Sequence, residues 1–143
     1  MKEARVVWTE GMQFVGAADS NHAMVLDAAP EVGGSDSGAR PGELLLIALG
    51  GCTGMDVVSF LNKMRVKFDF FHIKLKAESA AEHPRVYTQI ELTYVFSGKD
   101  IPPDKVERAI ELSWSKYCSV GAMLEKTAKI SYRYEIKKPE EQP

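Results

Sequence analysis

Residues 41–64 constrain the fold of this 143-residue chain more than any other segment. If they form a helix, apolar side chains cover most of its circumference: Leu44, Leu45, Ile47, Ala48, Leu49, Met55, Val57, Val58, Phe60 and Leu61. Pro41 suits the first turn of a helix, and Glu43 suits its positive end. A helix that is apolar on all sides is normally buried on all sides. The pattern therefore predicts a central helix that one small sheet cannot cover, and this favours a dimer.

Strand patterns occur on both sides of this segment. The predicted order is three strands as a meander (3–9, 12–18 and 22–28), a glycine-rich loop (30–41), the central helix (41–64), two long strands (67–79 and 85–97), a helix from Pro102 to near Cys118, a short helical turn (119–124) and a last strand (128–137). This order is typical of an α+β fold. We predict a single domain over residues 1–137 and a disordered tail over residues 138–143.

Composition argues against several classes of function. The net charge of −2 and the absence of a basic stripe argue against nucleic acid as a partner. We expect no membrane association, because no apolar run approaches the ~20 residues of a membrane helix. The N-terminus has no secretory h-region, so we expect a cytoplasmic protein. The two cysteines and three histidines have no metal-ligand spacing, and we expect neither a metal nor another cofactor.

The two cysteines are the candidate chemical groups. Cys52 lies inside the central helix pattern, and Cys118 ends the second one. In a cysteine-based peroxidase, one thiolate attacks a peroxide oxygen, and a second thiol condenses with the resulting sulfenic acid to form a disulfide. The alternative is that both cysteines are small buried hydrophobic residues. In the cytoplasm, a disulfide is more typically transient than structural.

The residues around these cysteines resemble a known superfamily. The run Pro41-Gly-Glu43-Leu-Leu-Leu-Ile-Ala-Leu-Gly-Gly-Cys52-Thr-Gly-Met-Asp56-Val-Val, followed later by Tyr117-Cys118-Ser-Val120, is similar to the OsmC-like branch of the OsmC/Ohr superfamily. The resemblance implies an OsmC-like fold, with antiparallel sheets shared between two subunits around long central helices. It also implies a homodimer that reduces organic hydroperoxides with two cysteines and is recycled by a lipoyl-linked or thioredoxin-like dithiol.

The direction of the reaction is open from the residues alone. Cys52 lies about ten residues into its helix, too deep for the helix terminus to favour its thiolate. Cys118, between two helical segments, could accept hydrogen bonds from backbone N–H groups. These would favour its thiolate and make it the attacking group. The resemblance implies the reverse assignment, in which Cys52 attacks and Cys118 resolves. We follow the resemblance.

Glu43 and Arg40 complete the predicted catalytic group. In the peroxidases that the chain resembles, a glutamate holds an arginine of the N-terminal hairpin against the reactive sulfur. Here the hairpin over residues 9–16 has no arginine, and Glu43 stands one place later than the family's glutamate. Of the substitutes Arg5 and Arg40, we favour Arg40. The alternatives are a helix-start carboxylate for Glu43 and an exposed loop cation for Arg40.

Several neighbours of the cysteines have open interpretations. Gly50 and Gly51 indicate close packing of at least one of them against a neighbour, access to the Cys52 sulfur, or both. Asp56 would oppose thiolate formation at Cys52, so we interpret it as the partner of a structural neighbour, which could lie across the dimer. Trp114 and Tyr117 belong to the apolar stripe of the second helix, with a second interpretation as walls of a substrate pocket.

Two other functions compete with the peroxidase hypothesis. The first is a non-catalytic binding module of the same fold, whose Cys52 pocket holds a small apolar or thiol-bearing ligand. The second is a stress-related dimer without any site. An arginine within reach of the Cys52 sulfur would favour the enzyme, and an apolar pocket without one would favour the binding module.

Overall fold

The N-terminal part of the chain is a three-stranded antiparallel meander. In the computed structural model, which describes residues 1–139, its strands are β1 (Ala4–Glu10), β2 (Gln13–Ala18) and β3 (Met24–Leu26), in the order β1-β2-β3. The turn between β1 and β2 contains Gly11 at φ +53°, a conformation that glycine adopts without strain. The predicted meander is confirmed. Residues 140–143 of the predicted tail lie outside the described residues.

The loop after β3 is organised by a buried carboxylate. Asp27 is 3% exposed and accepts hydrogen bonds from the backbone N–H groups of Ala28, Ser35 and Ser37, at 2.8, 3.1 and 3.0 Å. It also accepts one from the Ser37 hydroxyl at 2.6 Å. These hydrogen bonds lower the pKa of Asp27 to about 2, and the bond from the Ser37 hydroxyl has the largest effect. The loop predicted from its glycines and prolines therefore has a defined conformation, which includes a 3-10 turn at Pro30–Val32.

The central helix α1 spans Pro41–Lys63, as the sequence predicts. Its buried residues form one stripe at four-residue spacing: Leu49, Thr53, Val57 and Leu61. Other apolar side chains are exposed, including Leu45 (47%), Ile47 (61%) and Met55 (75%). One chain therefore covers only part of the helix surface that the sequence predicts to be buried.

By length and composition alone, α1 could cross a membrane. Its most apolar stretch of 18 residues has a mean hydropathy of 1.9, and 28% of that stretch is buried. The expectation that no apolar run approaches the length of a membrane helix was therefore wrong for this segment. The core helix of a soluble protein meets the same criteria, so they are weak evidence for a membrane span.

The second sheet contains both an antiparallel and a parallel pair. The chain divides into two compact units, residues 1–47 and 48–143, and this sheet belongs to the second. β4 (Phe70–Ser79) pairs with β5 (Tyr87–Ser97) in antiparallel fashion, and β6 (Lys129–Lys137) pairs with β5 in parallel. The predicted antiparallel pairing is therefore confirmed for β4 and β5 and was wrong for the β5–β6 pair. A helical connection returns the chain to the end where β5 begins, so β6 runs in the same direction.

That connection carries Cys118. It consists of α2 (Pro103–Leu112), a π-helical turn at Ser113–Tyr117 and the short α3 (Ser119–Leu124). Val106, Ala109 and Ile110 of α2 are buried. The predicted helix, its end near Cys118 and the short helical turn after it are confirmed.

Small residues of α1 allow close packing on β4. A Cβ atom on Gly50 would lie 3.0 Å from Leu75 Cδ1, and one on Gly54 would lie 3.3 Å from Ile73 Cδ1. A Cβ atom on Gly51 would meet no atom within 4 Å. The close-packing interpretation is therefore confirmed for Gly50, while Gly51 leaves open space beside Cys52.

Candidate functional site

The fold brings the two cysteines together. Both thiols are free; Cys52 is partly exposed on α1, and Cys118 is buried at 4% exposure. Their side chains interact, and Cys52 Sγ lies 4.0 Å from the hydroxyl of Ser119, the residue after Cys118. One partly exposed and one buried cysteine therefore share one site.

Cys118 is positioned by the change of helical geometry around it. Its backbone N–H donates to the Ser113 carbonyl at 2.8 Å, which closes the π-helical turn. Its Sγ then accepts the backbone N–H of Gly121 at 3.3 Å, so Cys118 caps α3. A Cβ atom at position 121 would lie 2.8 Å from the Trp114 ring and 3.2 Å from Cys118 Sγ. Glycine at this position therefore allows both groups to pack against the start of α3.

Cys118 is held as a neutral thiol. Burial and, less strongly, the neighbouring Cys52 raise the pKa of Cys118, and the Gly121 N–H lowers it, so that the net value is about 11. The backbone donor that the sequence predicts at this helix junction is present, but burial outweighs it. At neutral pH the folded protein therefore keeps Cys118 protonated, which disfavours it as the attacking group.

A buried hydrogen-bond chain runs behind the cysteines. Trp114 Nε1 donates to the Tyr94 hydroxyl, which bonds to the Thr53 hydroxyl, each at 2.8 Å. Thr53 bonds to the Ser113 hydroxyl at 2.8 Å, and Ser113 donates to Asp56 at 2.9 Å. An indole N–H can only donate and a carboxylate can only accept, so all four bonds form together only if every donor points towards Asp56. The hydrogen-bond chain is therefore directional and ends on the Asp56 carboxylate.

This chain connects the segments that carry the two thiols. Thr53 directly follows Cys52 on α1. The Ser113 carbonyl accepts a hydrogen bond from the backbone N–H of Cys118. The Thr53–Ser113 bond thus fixes one cysteine segment against the other. The structural partner expected for Asp56 is Ser113 of the same chain.

Sequence reasoning missed Thr53, Tyr94 and Ser119 as residues of the site. A signal existed for Ser113, a polar residue on the apolar stripe that the sequence predicts for the second helix. Its hydroxyl is completely buried, and a buried hydroxyl requires a partner. The partners themselves lie on distant segments, which the local pattern does not identify.

The two aromatic residues near Cys118 have different surroundings. The Trp114 ring stacks on Tyr132 with centroids 5.4 Å apart, and its N–H enters the buried chain. Tyr117 is 48% exposed and contacts Phe60 at 5.2 Å between ring centroids. A role for either ring as the wall of a substrate pocket stays a prediction.

Arg40 and Glu43 belong to the first compact unit, and both have local partners there. The Arg40 guanidinium pairs with Asp36 at 2.6 Å and donates to the Gly38 carbonyl at 2.9 Å. The Glu43 carboxylate accepts the backbone N–H of Arg40 at 2.9 Å, as in a capping box. Glu43 thus acts as a helix-start carboxylate, and the predicted roles of both residues at the sulfur stay predictions.

Comparison with known proteins identifies the family. The model of the OsmC-like protein family matches residues 34–133. The chain belongs to the OsmC-like family. It is 40% identical over 134 residues to Protein YhfA of Escherichia coli K12, covering 94% of this chain and 97% of YhfA. In the residues described for this OsmC-like protein, no cluster of three or more histidine, cysteine, aspartate or glutamate side chains could hold a metal.

Solved structures support the same fold for this OsmC-like protein. A hypothetical protein from Aquifex aeolicus is 31% identical with a TM-score of 0.84, over 96% of this chain and 97% of that one. An organic hydroperoxide resistance protein from Elizabethkingia anophelis is 14% identical with a TM-score of 0.71, over 96% of both chains. The predicted α+β, OsmC-like fold is confirmed, while the sharing of sheets between two subunits stays a prediction.

Proposed function

We propose that this OsmC-like protein is a thiol-dependent peroxidase that reduces organic hydroperoxides through Cys52 and Cys118. The observation that carries the proposal is the unequal pair of neighbouring thiols, one partly exposed and one buried and protonated. The fold it shares with an organic hydroperoxide resistance protein supports the same chemistry. The name of the relative YhfA states no activity.

The proposed reaction has two steps at the protein. The Cys52 thiolate attacks the terminal oxygen of the hydroperoxide, so an S–O bond forms, the O–O bond breaks and the alkoxide leaves as an alcohol after taking a proton. The Cys118 thiol then attacks the sulfur of the Cys52 sulfenic acid, which gives a disulfide and releases water. A dithiol, which we propose to be lipoyl-linked or thioredoxin-like, reduces this disulfide by exchange and becomes a disulfide itself.

The environments of the two thiols suit these roles. A peroxide must reach the attacking sulfur, and Cys52 is the more exposed of the two cysteines. The resolving thiol must not compete for the substrate, and the pKa of about 11 keeps Cys118 neutral. A role for Arg40 as an activating cation, with Glu43 as its partner, requires the guanidinium to leave Asp36 and Gly38. The cytoplasmic location also stays a proposal.

Thiol counting under anaerobic conditions tests the proposed reaction. One equivalent of cumene hydroperoxide should remove two free thiols per chain and yield one cumyl alcohol, because the first thiol is oxidised and the second closes the disulfide. Free thiols are measured with a chromogenic disulfide, and the alcohol by chromatography. Hydrogen peroxide is the matched control and should react more slowly. If no thiol is lost and no peroxide is consumed with any dithiol present, the peroxidase proposal fails.

One observation favours a second candidate, a binding module for a small apolar or thiol-bearing ligand. The polar partners that the structure gives the Cys52 sulfur are both uncharged, the Ser119 hydroxyl and the Cys118 thiol. Under this second function, the same experiment should leave both thiols intact. A small-molecule thiol would instead protect Cys52 from alkylation.

We further propose that the protein is a homodimer. Beyond the buried stripe of α1, its apolar side chains Leu45, Ile47 and Met55 are exposed, as is Trp8 of β1 at 61%. Burying apolar surface of this kind under a second subunit lowers the free energy of the assembly. Sedimentation at micromolar concentration should therefore show a dimer. A folded monomer that remains stable at that concentration would contradict the proposal.

A further inference from the structure

A reactive thiolate needs a hydrogen-bond donor or a cation beside it. For Cys52 the backbone of α1 cannot supply the donor, because the N–H groups in the interior of a helix already bond to carbonyls one turn earlier. The macrodipole also has little effect beyond the first turn, and Cys52 lies well inside Pro41–Lys63. The donor must therefore be a side chain or a group on another segment.

The structure places one hydroxyl in this position. Ser119 Oγ lies 4.0 Å from Cys52 Sγ, and either atom can donate while the thiol is protonated. Once Cys52 ionises, its sulfur has no proton, so only Ser119 can donate. A hydrogen bond to a charged acceptor is shorter and stronger than a neutral one, so this contact should contract on ionisation.

The position of Ser119 depends on the same elements that hold Cys118. Ser119 begins α3, directly after the cap residue Cys118, whose backbone N–H and Sγ are both hydrogen-bonded. The Thr53–Ser113 bond holds this segment against the helix that carries Cys52. The Ser119 hydroxyl is thus held near the sulfur by the scaffold that positions the second thiol.

We propose that Ser119 is a catalytic residue that donates a hydrogen bond to the Cys52 thiolate and raises its population at neutral pH. This assignment rests on the proposed peroxidase function, because it names the donor for the attacking sulfur. The other polar neighbour of Cys52 is Cys118. Its thiol would stabilise the Cys52 thiolate less than a hydroxyl does, because a thiol is a weak hydrogen-bond donor. The assignment makes the start of α3 part of both chemical steps.

Two opposing effects determine the size of the change expected in Ser119→Ala. A hydrogen bond to a charged group changes the thiolate fraction by about tenfold. The same hydrogen bond makes the thiolate roughly threefold less nucleophilic, and this offsets part of the tenfold increase in the thiolate fraction. Ser119→Ala should therefore react about threefold more slowly near neutral pH. At high pH, where Cys52 is fully ionised in both proteins, the variant should react about threefold faster.

The experiment measures iodoacetamide alkylation of each cysteine across pH in the reduced full-length protein, with the two sites separated by peptide mass spectrometry. Ser119→Thr keeps the hydroxyl and should follow the wild-type curve. Ser115→Ala, an exposed serine of the preceding π-helical turn, is the matched control and should also follow it. The rate constant for cumene hydroperoxide near neutral pH, measured in parallel, should fall with the alkylation rate of Cys52.

The crossing of the two rate profiles supports the assignment, because a merely structural change would not slow the reaction at one pH and accelerate it at another. Profiles for Ser119→Ala and wild type that coincide, or that shift equally at Cys52 and Cys118, would overturn it. The alkylation profile does not depend on peroxide turnover. A crossing in a protein that consumes no hydroperoxide would therefore keep Ser119 as the donor and reject the proposed function.

Discussion

Cys52→Ser should abolish consumption of organic hydroperoxide, whereas Cys118→Ser should still complete one turnover per chain. Attack on the peroxide requires a single sulfur, while recycling through a disulfide requires both. The buried and protonated Cys118 thiol cannot replace Cys52 as the attacking group at neutral pH. In the Cys118→Ser variant, Cys52 should accumulate as a sulfenic acid and should be oxidised further by excess peroxide.

A single-turnover assay with a sulfenic-acid probe and intact-mass measurement checks this expectation. Ser115→Ala is the control, because it changes a residue close to Cys118 and leaves both thiols in place. This variant should turn over repeatedly. If Cys52→Ser keeps the first turnover and Cys118→Ser loses it, the roles are reversed. The backbone donor at the start of α3 would then outweigh the burial of Cys118.

Thr53→Val should lower the free energy of unfolding by about 2–3 kcal/mol and slow disulfide formation after peroxide attack. Valine has nearly the same shape, but it removes the hydroxyl that bonds to both Tyr94 and Ser113 at 2.8 Å. Both partners are fully buried, so each loses a hydrogen bond that water does not replace. The segment that carries Cys118 also loses its direct bond to the Cys52 helix.

Urea unfolding and the rate of thiol loss after one equivalent of peroxide measure the two effects. Thr88→Val is the matched control, since the Thr88 hydroxyl is exposed and donates only a 3.3 Å bond to the Glu78 carbonyl. That substitution should change stability by less than about 0.5 kcal/mol. An equal effect of the two substitutions, or an unchanged rate of disulfide formation in Thr53→Val, would contradict the positioning role of Thr53.

Local sequence patterns predicted most of the secondary structure because they follow helical or strand periodicity. The N-terminal meander, α1 at Pro41–Lys63 and the helix that ends near Cys118 all lie close to their predicted bounds. The direction of β6 was not predictable in this way, because an alternating pattern is the same in a parallel and an antiparallel pair. Only the path of the α2–α3 connection determines that β6 runs parallel to β5.

The sequence by itself determined that Cys52 lies within an apolar helix, that Cys118 lies at a helix junction and that the chain resembles the OsmC-like family. These are properties of short segments, in which spacing along the chain decides which face a side chain occupies. Only the tertiary structure decided which polar groups surround the thiols. Thr53 meets Tyr94 and Ser113 across separations of 41 and 60 residues, and Ser119 approaches Cys52 across 67. Such contacts depend on how helices and strands pack together, and no local periodicity encodes them.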